Sequence, residues 1–230
     1  AATSADFQNW TDHGLIFHAD ELDQEMGVER IEARRKNPYL KQTEFNHREH
    51  YSVQIYNMGV FQYEGVFIGL PSMYHHTGKV PPSWPGFEKL NLSPYIQECV
   101  DKYGDYTGFY TVQLISSRDM KNWNRLGDRQ PFLAPSMLGS GAYDLQTIIG
   151  PSEPVDRGDE LWFYYTGIKA YAFISAGEIP GYDDYVGNKG AVNLAVLRKD
   201  GFISLDADHE EGTVLTKPFE LAGKKLLVNF

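Results

Sequence analysis

The stretch Ser4-Ala5-Asp6-Phe7-Gln8-Asn9-Trp10-Thr11 returns as Ser117-Arg118-Asp119-Met120-Lys121-Asn122-Trp123-Asn124, so S-x-D-x-x-N-W stands twice in 230 residues. A repeated motif means a repeated structural unit, and it restricts the fold more than any composition figure does. The chemistry of the motif is that of a corner. An Asp side chain accepts hydrogen bonds from backbone N–H groups two residues on and closes a turn, while the Trp covers a neighbouring strand. The plainest role for Asp6, Asp119, Trp10 and Trp123 is therefore structural. Arg198-Lys199-Asp200-Gly201-Phe202 reads as a weaker third copy.

Around these corners lie short segments rich in Val, Ile, Tyr, Phe and Trp, bounded by Gly, Pro, Asn or Asp. They run from Tyr51 to Tyr56, Val60 to Tyr63, Val66 to Leu70, Phe109 to Ser116, Leu161 to Thr166, Ala191 to Leu197 and Thr213 to Leu215. Each reads as a strand, and the fold class expected is all-β. One short helix is expected, Ser93 to Tyr103, where Pro94 suits the first turn and Ile96, Val100 and Tyr103 share a face. Glu29 to Lys36 mixes charges of both signs and reads as a solvated loop.

Val60 to Leu70 and Val155 to Thr166 pair as two copies of one hairpin. The order hairpin, third strand, corner, fourth strand, next hairpin is the four-stranded antiparallel meander of a propeller blade. Residues 1–219 then read as a partial β-propeller: the end of one blade over Ser4 to Phe17, and blades at about 50–133 and 143–219. Residues 220–230 read as a final strand or the start of a β-sandwich. The corner Asp residues lie 113 and 81 positions apart, beyond the roughly 40 to 50 of compact propeller repeats. Long loops take up the excess, chiefly Gln24 to Arg48, His75 to Gly108, Ala134 to Tyr143 and Lys169 to Lys189.

Composition narrows the function classes. With 21 Lys plus Arg against 31 Asp plus Glu, the formal charge of -10 disfavours a nucleic-acid partner. No apolar run reaches the roughly 20 residues of a membrane span, so no membrane partner is expected. The single Cys99 permits neither an internal disulfide nor a Cys-based zinc site, which leaves a periplasmic or secreted home open. The start at Ala1, without Met or a basic-then-apolar leader, reads as processed or truncated. No phosphate-loop, dinucleotide or zinc-protease motif is present, and Gly139-Ser140-Gly141 lacks the spacing of a serine nucleophile elbow, so no cofactor is expected.

In its corners, in Gly158-Asp159-Glu160-Leu161-Trp162-Phe163-Tyr164-Tyr165-Thr166-Gly167, and in its tail from Asn193 to Asn229, the sequence resembles the five-bladed β-propeller glycoside hydrolase-like superfamily of fructosidases, arabinanases and β-xylosidases. The resemblance covers most of the chain and specifies architecture rather than substrate. It implies a C-terminal part of such a propeller, completed by missing N-terminal blades or by homo-oligomerisation. It also implies a partner that is a plant or algal oligosaccharide, to be hydrolysed or recognised. The alternative is a non-catalytic carbohydrate-binding or assembly fragment of a larger propeller protein.

Glycoside hydrolysis needs two carboxylates, one acid and one base or nucleophile. Asp144 follows a Gly-rich loop and opens a blade, and Glu153 lies at the end of the same inner strand, where burial would suit it to general acid work. Turn capping is the plainer role for both. Asn46-His47-Arg48-Glu49-His50 precedes a strand and gathers groups suited to hydroxyl or carboxylate recognition, with His47, Arg48 and Glu49 as substrate-binding candidates. Tyr74, His75 and His76 are further substrate-binding candidates, placed after a strand at the rim of the earlier blade, where adjacent imidazoles point to opposite faces and one of them can reach a ligand. No metal site is expected, because neighbouring His residues seldom bind one ion together and no His-x-x-x-His accompanies them.

Overall fold

The computed structural model describes residues 1–89, 92–170, 189–207, 209–220 and 223–226. The chain is predominantly β and its sheets are antiparallel. A small hairpin of β1 (Ala2–Thr3) and β2 (Thr11–Asp12) comes first, followed by α1 (Glu21–Lys36). The first large sheet holds β3 (Ser52–Tyr63), β4 (Val66–Val80), β5 (Asp105–Val112), β6 (Ile115–Ser117) and β7 (Asn124–Arg125), with α2 (Pro94–Tyr103) inserted between β4 and β5. The second holds β8 (Thr147–Ile149), β9 (Val155–Asp156), β10 (Glu160–Ile168) and β11 (Gly190–Arg198).

Strand register reduces each sheet to fewer lines than it has strands. β5 and β6 lie end to end along β4, with Ser72 opposite Val112 and Gly69 opposite Ile115, so the first sheet is a four-line meander. β8 and β9 likewise lie end to end along β10, with Gly167 opposite Ile148 and Trp162 opposite Val155. That makes the second sheet three lines wide. Both expected hairpins are present, the first turning at Glu64-Gly65, where φ is 45° and 77°. The described strands close into no ring or barrel.

The two sheets bury one face each against the other. Phe61, Leu70, Tyr74, Tyr110, Val112 and Leu114 of the first meet Ile148, Leu161 and Phe163 of the second. Phe202 completes an aromatic group with Phe61, Phe132 and Phe163. Each such side chain removed from water contributes about 2 kcal/mol before its entropy is counted.

Helix α1 covers the far face of the first sheet, and here the expectation of a loop over Gln24 to Arg48 is corrected. The buried positions are Asp23, Gly27, Ile31 and Arg34, a regular helical stripe with a single aliphatic in it, so apolar periodicity could not reveal the helix. Its amino end carries a capping box between Asp20 and Asp23. Arg129 pairs with Asp20 at 2.6 and 2.9 Å, and Arg125 pairs with the buried Asp23, which together pin the helix to the end of β7. A methyl group at Gly27 would fall 2.1 Å from Val53 Cγ2, so glycine sets the close approach of helix to sheet.

The second helix follows expectation. Ser93 caps it, Pro94 occupies the first turn, and Gly104 at φ 69° ends it. Val100 packs with Val80 and Phe87 in a small core of its own.

Two further expectations change. Thr213 to Leu215 form no strand and are exposed, so the second sheet has no fourth line there, and residues 220 and 223–226 form none either; the rest of 220–230 lies outside the described residues. Arg198 to Phe202 is not a third corner: φ is positive at Asp200 itself rather than at the residue after it, and Asp200 accepts from the Tyr63 hydroxyl at 2.5 Å instead of closing its own turn. The Lys169 to Lys189 loop lies mostly outside the described residues.

Candidate functional site

The entry to β8 concentrates polar groups that an ordinary sheet core would exclude. Tight turns at Gly139 and Gly141, both at positive φ, feed the chain into Tyr143-Asp144-Leu145-Gln146. Asp144 is 3% exposed. The Tyr165 hydroxyl donates to Asp144 Oδ2 at 2.7 Å, whereas Asp144 Oδ1 is buried without a hydrogen-bond partner among the described residues. Asn193 stands opposite Tyr165 in the β10–β11 register, and its Nδ2 is equally buried and unpartnered. Gly167 makes this proximity possible, because a methyl there would fall 2.0 Å from Asn193 Nδ2 and 2.8 Å from Asp144 Cβ. Burial, and secondarily the bond to Asp144, hold the Tyr165 hydroxyl well above its ordinary pKa, so it remains a proton donor at neutral pH.

Two residues along, Gln146 anchors a closed polar ring. Lys41 Nζ donates to Glu44 Oε1 and to Gln146 Oε1, each at 2.5 Å, and Gln146 Nε2 donates to Glu44 Oε2 at 3.0 Å and to the Gly108 carbonyl at 2.8 Å. Arg34 of α1 binds the carbonyls of Lys41 and Leu145. This ring is satisfied and rigid, a support for the loop that carries Asn46 and the imidazoles.

That loop ends in the short turn Arg48–His50. His47 and His50 stack with centroids 4.5 Å apart, and His47, Arg48 and Glu49 are exposed. His76 is half-buried beside Tyr74 and Tyr106, with its pKa lowered by burial and its Nε2 unpartnered among the described residues. His47, His50, His76 and Tyr106 thus form an aromatic and imidazole strip at one end of the first sheet.

The other candidates are placed elsewhere. Tyr74-His75-His76 is not a rim loop but the middle of β4, because the strand runs on to Val80. Alternation does send His75 and His76 to opposite faces. His75 is fully buried beneath α1, stacked on Phe109 at 4.6 Å and bonded through Nε2 to Thr111 Oγ1 at 3.0 Å. Burial, with Arg30 and Arg34 nearby, pushes its pKa down to about 3, so it is a neutral core residue and not a surface ligand group. Tyr74 belongs to the core and donates to the Thr107 carbonyl. Glu153 is exposed on the turn between β8 and β9, at the opposite end of β8 from Asp144, and not buried as expected.

Sequence reasoning passed over Lys41, Glu44, Gln146, Tyr165 and Asn193. The available signal was the polar pair Asp144 and Gln146 at alternate positions leading into an apolar strand, a pattern that points two polar side chains to the buried face. Among the described residues no group of three or more His, Cys, Asp or Glu side chains converges to hold a metal ion, and no helix is long and apolar enough to cross a membrane. The chain matches no family model, no curated protein and no solved structure.

Proposed function

We propose that this chain is part of a glycoside hydrolase-like β-propeller protein that hydrolyses or recognises a plant or algal oligosaccharide, with Asp144 as its working carboxylate. The antiparallel meanders packed face to face are what successive blades would present, and the repeated corners fit that architecture. The observation that carries the functional reading is the pair of unpartnered groups beside Gly167: Asp144 Oδ1 as acceptor and Asn193 Nδ2 as donor. A sugar hydroxyl, which both donates and accepts, satisfies such a pair. The strip of His47, His50, His76 and Tyr106 supplies aromatic and polar groups suited to sugar rings.

Recognition without turnover is the second reading, and the position of Glu153 favours it. Hydrolysis needs two carboxylates flanking one bond, and Asp144 and Glu153 occupy opposite ends of β8. Calorimetry with arabino-, xylo- and fructo-oligosaccharides, run beside hydrolysis of aryl glycosides, separates the readings. Heat of binding without turnover, lost in Asp144→Asn, supports recognition. Turnover that falls by roughly 100-fold or more in Asp144→Asn and is unchanged in Glu153→Gln supports catalysis with a second carboxylate other than Glu153. Binding and rates that are indifferent to Asp144→Asn refute both.

A further inference from the structure

Among the described residues the outer strand of the second sheet is open along its length. All nine residues of β11 pair with β10 in unbroken register, and among the described residues nothing pairs with its other side. An edge of this kind presents alternate N–H and C=O groups to any strand that meets it, and proteins ordinarily blunt it with charge, proline, a bulge or a cover.

The edge strand β3 of the first sheet shows such protection. β3 carries a bulge between Ile55 and Asn57. The Gln24 carboxamide donates to the Val53 carbonyl and accepts from the Val53 N–H, both at 2.8 Å, so a side chain stands where a neighbouring strand would. Among the described residues β11 has none of these devices. From Ala191 to Leu197 it is uncharged and free of proline. Its outward face shows Val192, Leu194 and Val196 at 72, 41 and 51% exposure, beside their cross-strand neighbours Trp162 and Tyr164 on β10. Open edge and open apolar face therefore belong to one strand.

We propose that β11 is a self-association surface, on which a second copy of this chain adds its own β11 antiparallel about Leu194 to continue the sheet across a two-fold axis. The strand is its own complement. On its outward face it reads Val192, Leu194, Val196, the same in both directions, so pairing centred on Leu194 sets Leu194 against itself and Val192 against Val196 on the apolar face. Arg198 meets Gly190, so within β11 no like charges stand opposite each other, and the one like-charged pair, Lys189 against Lys199, falls just beyond the strand ends, where salt screens it. The net charge of -10 opposes approach at long range, but at 0.15 M salt that repulsion is screened beyond about 8 Å. Association therefore tightens as salt rises. This proposal is independent of the carbohydrate reading.

Sedimentation of the full chain at micromolar concentration tests it. The expected result is a concentration-dependent dimer that strengthens with salt, is lost in Leu194→Lys and in Leu194→Asp, and returns when the two variants are mixed, because position 194 faces itself only in this register. Circular dichroism checks that the variants fold. Leu194→Cys in a Cys99→Ser background gives a second readout: opposed Cα atoms about 4.5 to 5.5 Å apart suit a disulfide, so oxidation yields a covalent dimer. A wild-type chain that stays monomeric overturns the proposal, as do dimers that survive both charged variants or a mixture that stays monomeric. Hydrogen exchange showing β11 amides equally protected at high dilution also overturns it, since the chain's own exposed tail would then hold the edge.

Discussion

The two S-x-D-x-x-N-W corners are the same structure in different company. Asp6 Oδ1 accepts from the backbone of Gln8 and Asn9 at 2.9 and 2.8 Å, and Asp119 Oδ1 accepts from Lys121 and Asn122 at 2.8 and 2.7 Å. The Asn side chain closes each ring onto the second carboxylate oxygen. Phe7 and Met120, the residues after each Asp, take the same left-handed conformation at φ 59° and 60°. Even the flanking strands agree, since Ala2 opposite Asp12 matches Ile115 opposite Arg125. The tryptophans differ. Trp123 sits against Gly69 of β4, whereas β1 has no neighbouring strand but β2 among the described residues and Trp10 is 56% exposed. The turn is thus a property of seven residues, while the burial of its tryptophan is a property of the sheet.

Truncating the two tryptophans breaks the comparison most sharply. Trp123→Ala empties a seat formed by β4 and β6, and the expected cost is about 3 kcal/mol in denaturant unfolding. Trp10→Ala removes a side chain that touches mainly Phe7, and a change within about 0.5 kcal/mol is expected. Equal losses in the two variants would mean that Trp10 is seated in solution against something outside the described residues.

The same contrast explains what could be read from sequence. The corners, the helix from Pro94 and the paired hairpins are encoded locally, by Asp, Pro, Gly and alternating β-formers, and each was legible. Helix α1 was not, because its buried stripe of Asp23, Gly27, Ile31 and Arg34 is stabilised by partners far along the chain, Arg125 and Val53 among them. At the candidate site Asp144 could be singled out from its glycine-rich approach. Tyr165 and Asn193 could not, since what brings them to Asp144 is strand register and the missing side chain at Gly167.

A methyl group under Trp123 sharpens the role of the seat. At Gly69 a Cβ would fall 2.6 Å from Ile115 Cγ1 and 3.0 Å from Trp123 Cζ3. Gly69→Ala is expected to cost about 1 to 3 kcal/mol through overpacking, and Ile115→Val beside it to recover part of that loss. Absence of recovery in the double variant would locate the strain in the backbone of β4 instead of in the contact with β6.

The smallest effect lies in the carboxylates themselves. Backbone and side-chain N–H groups, those of Asn9 and Asn122 foremost, hold Asp6 and Asp119 well below the ordinary value of 3.8. A depressed folded-state pKa means that the unfolded chain binds the proton more readily. Each corner therefore contributes stability that is present above about pH 4 and lost as pH falls toward the folded-state value. For Asp119, whose corner joins β6 to β7 within the main sheet, that loss is coupled to global unfolding. For Asp6, whose hairpin over β1 and β2 hydrogen-bonds only within itself among the described residues, it is local. Acid unfolding between pH 5 and 2 is then expected to flatten in Asp119→Asn and to be unchanged in Asp6→Asn. Local exchange of the Gln8 and Asn9 amides speeds up in Asp6→Asn alone. Acid profiles that flatten equally in both variants would show the amino-terminal hairpin to be part of the cooperative unit, and its corner to be as much a part of the fold as the one at Trp123.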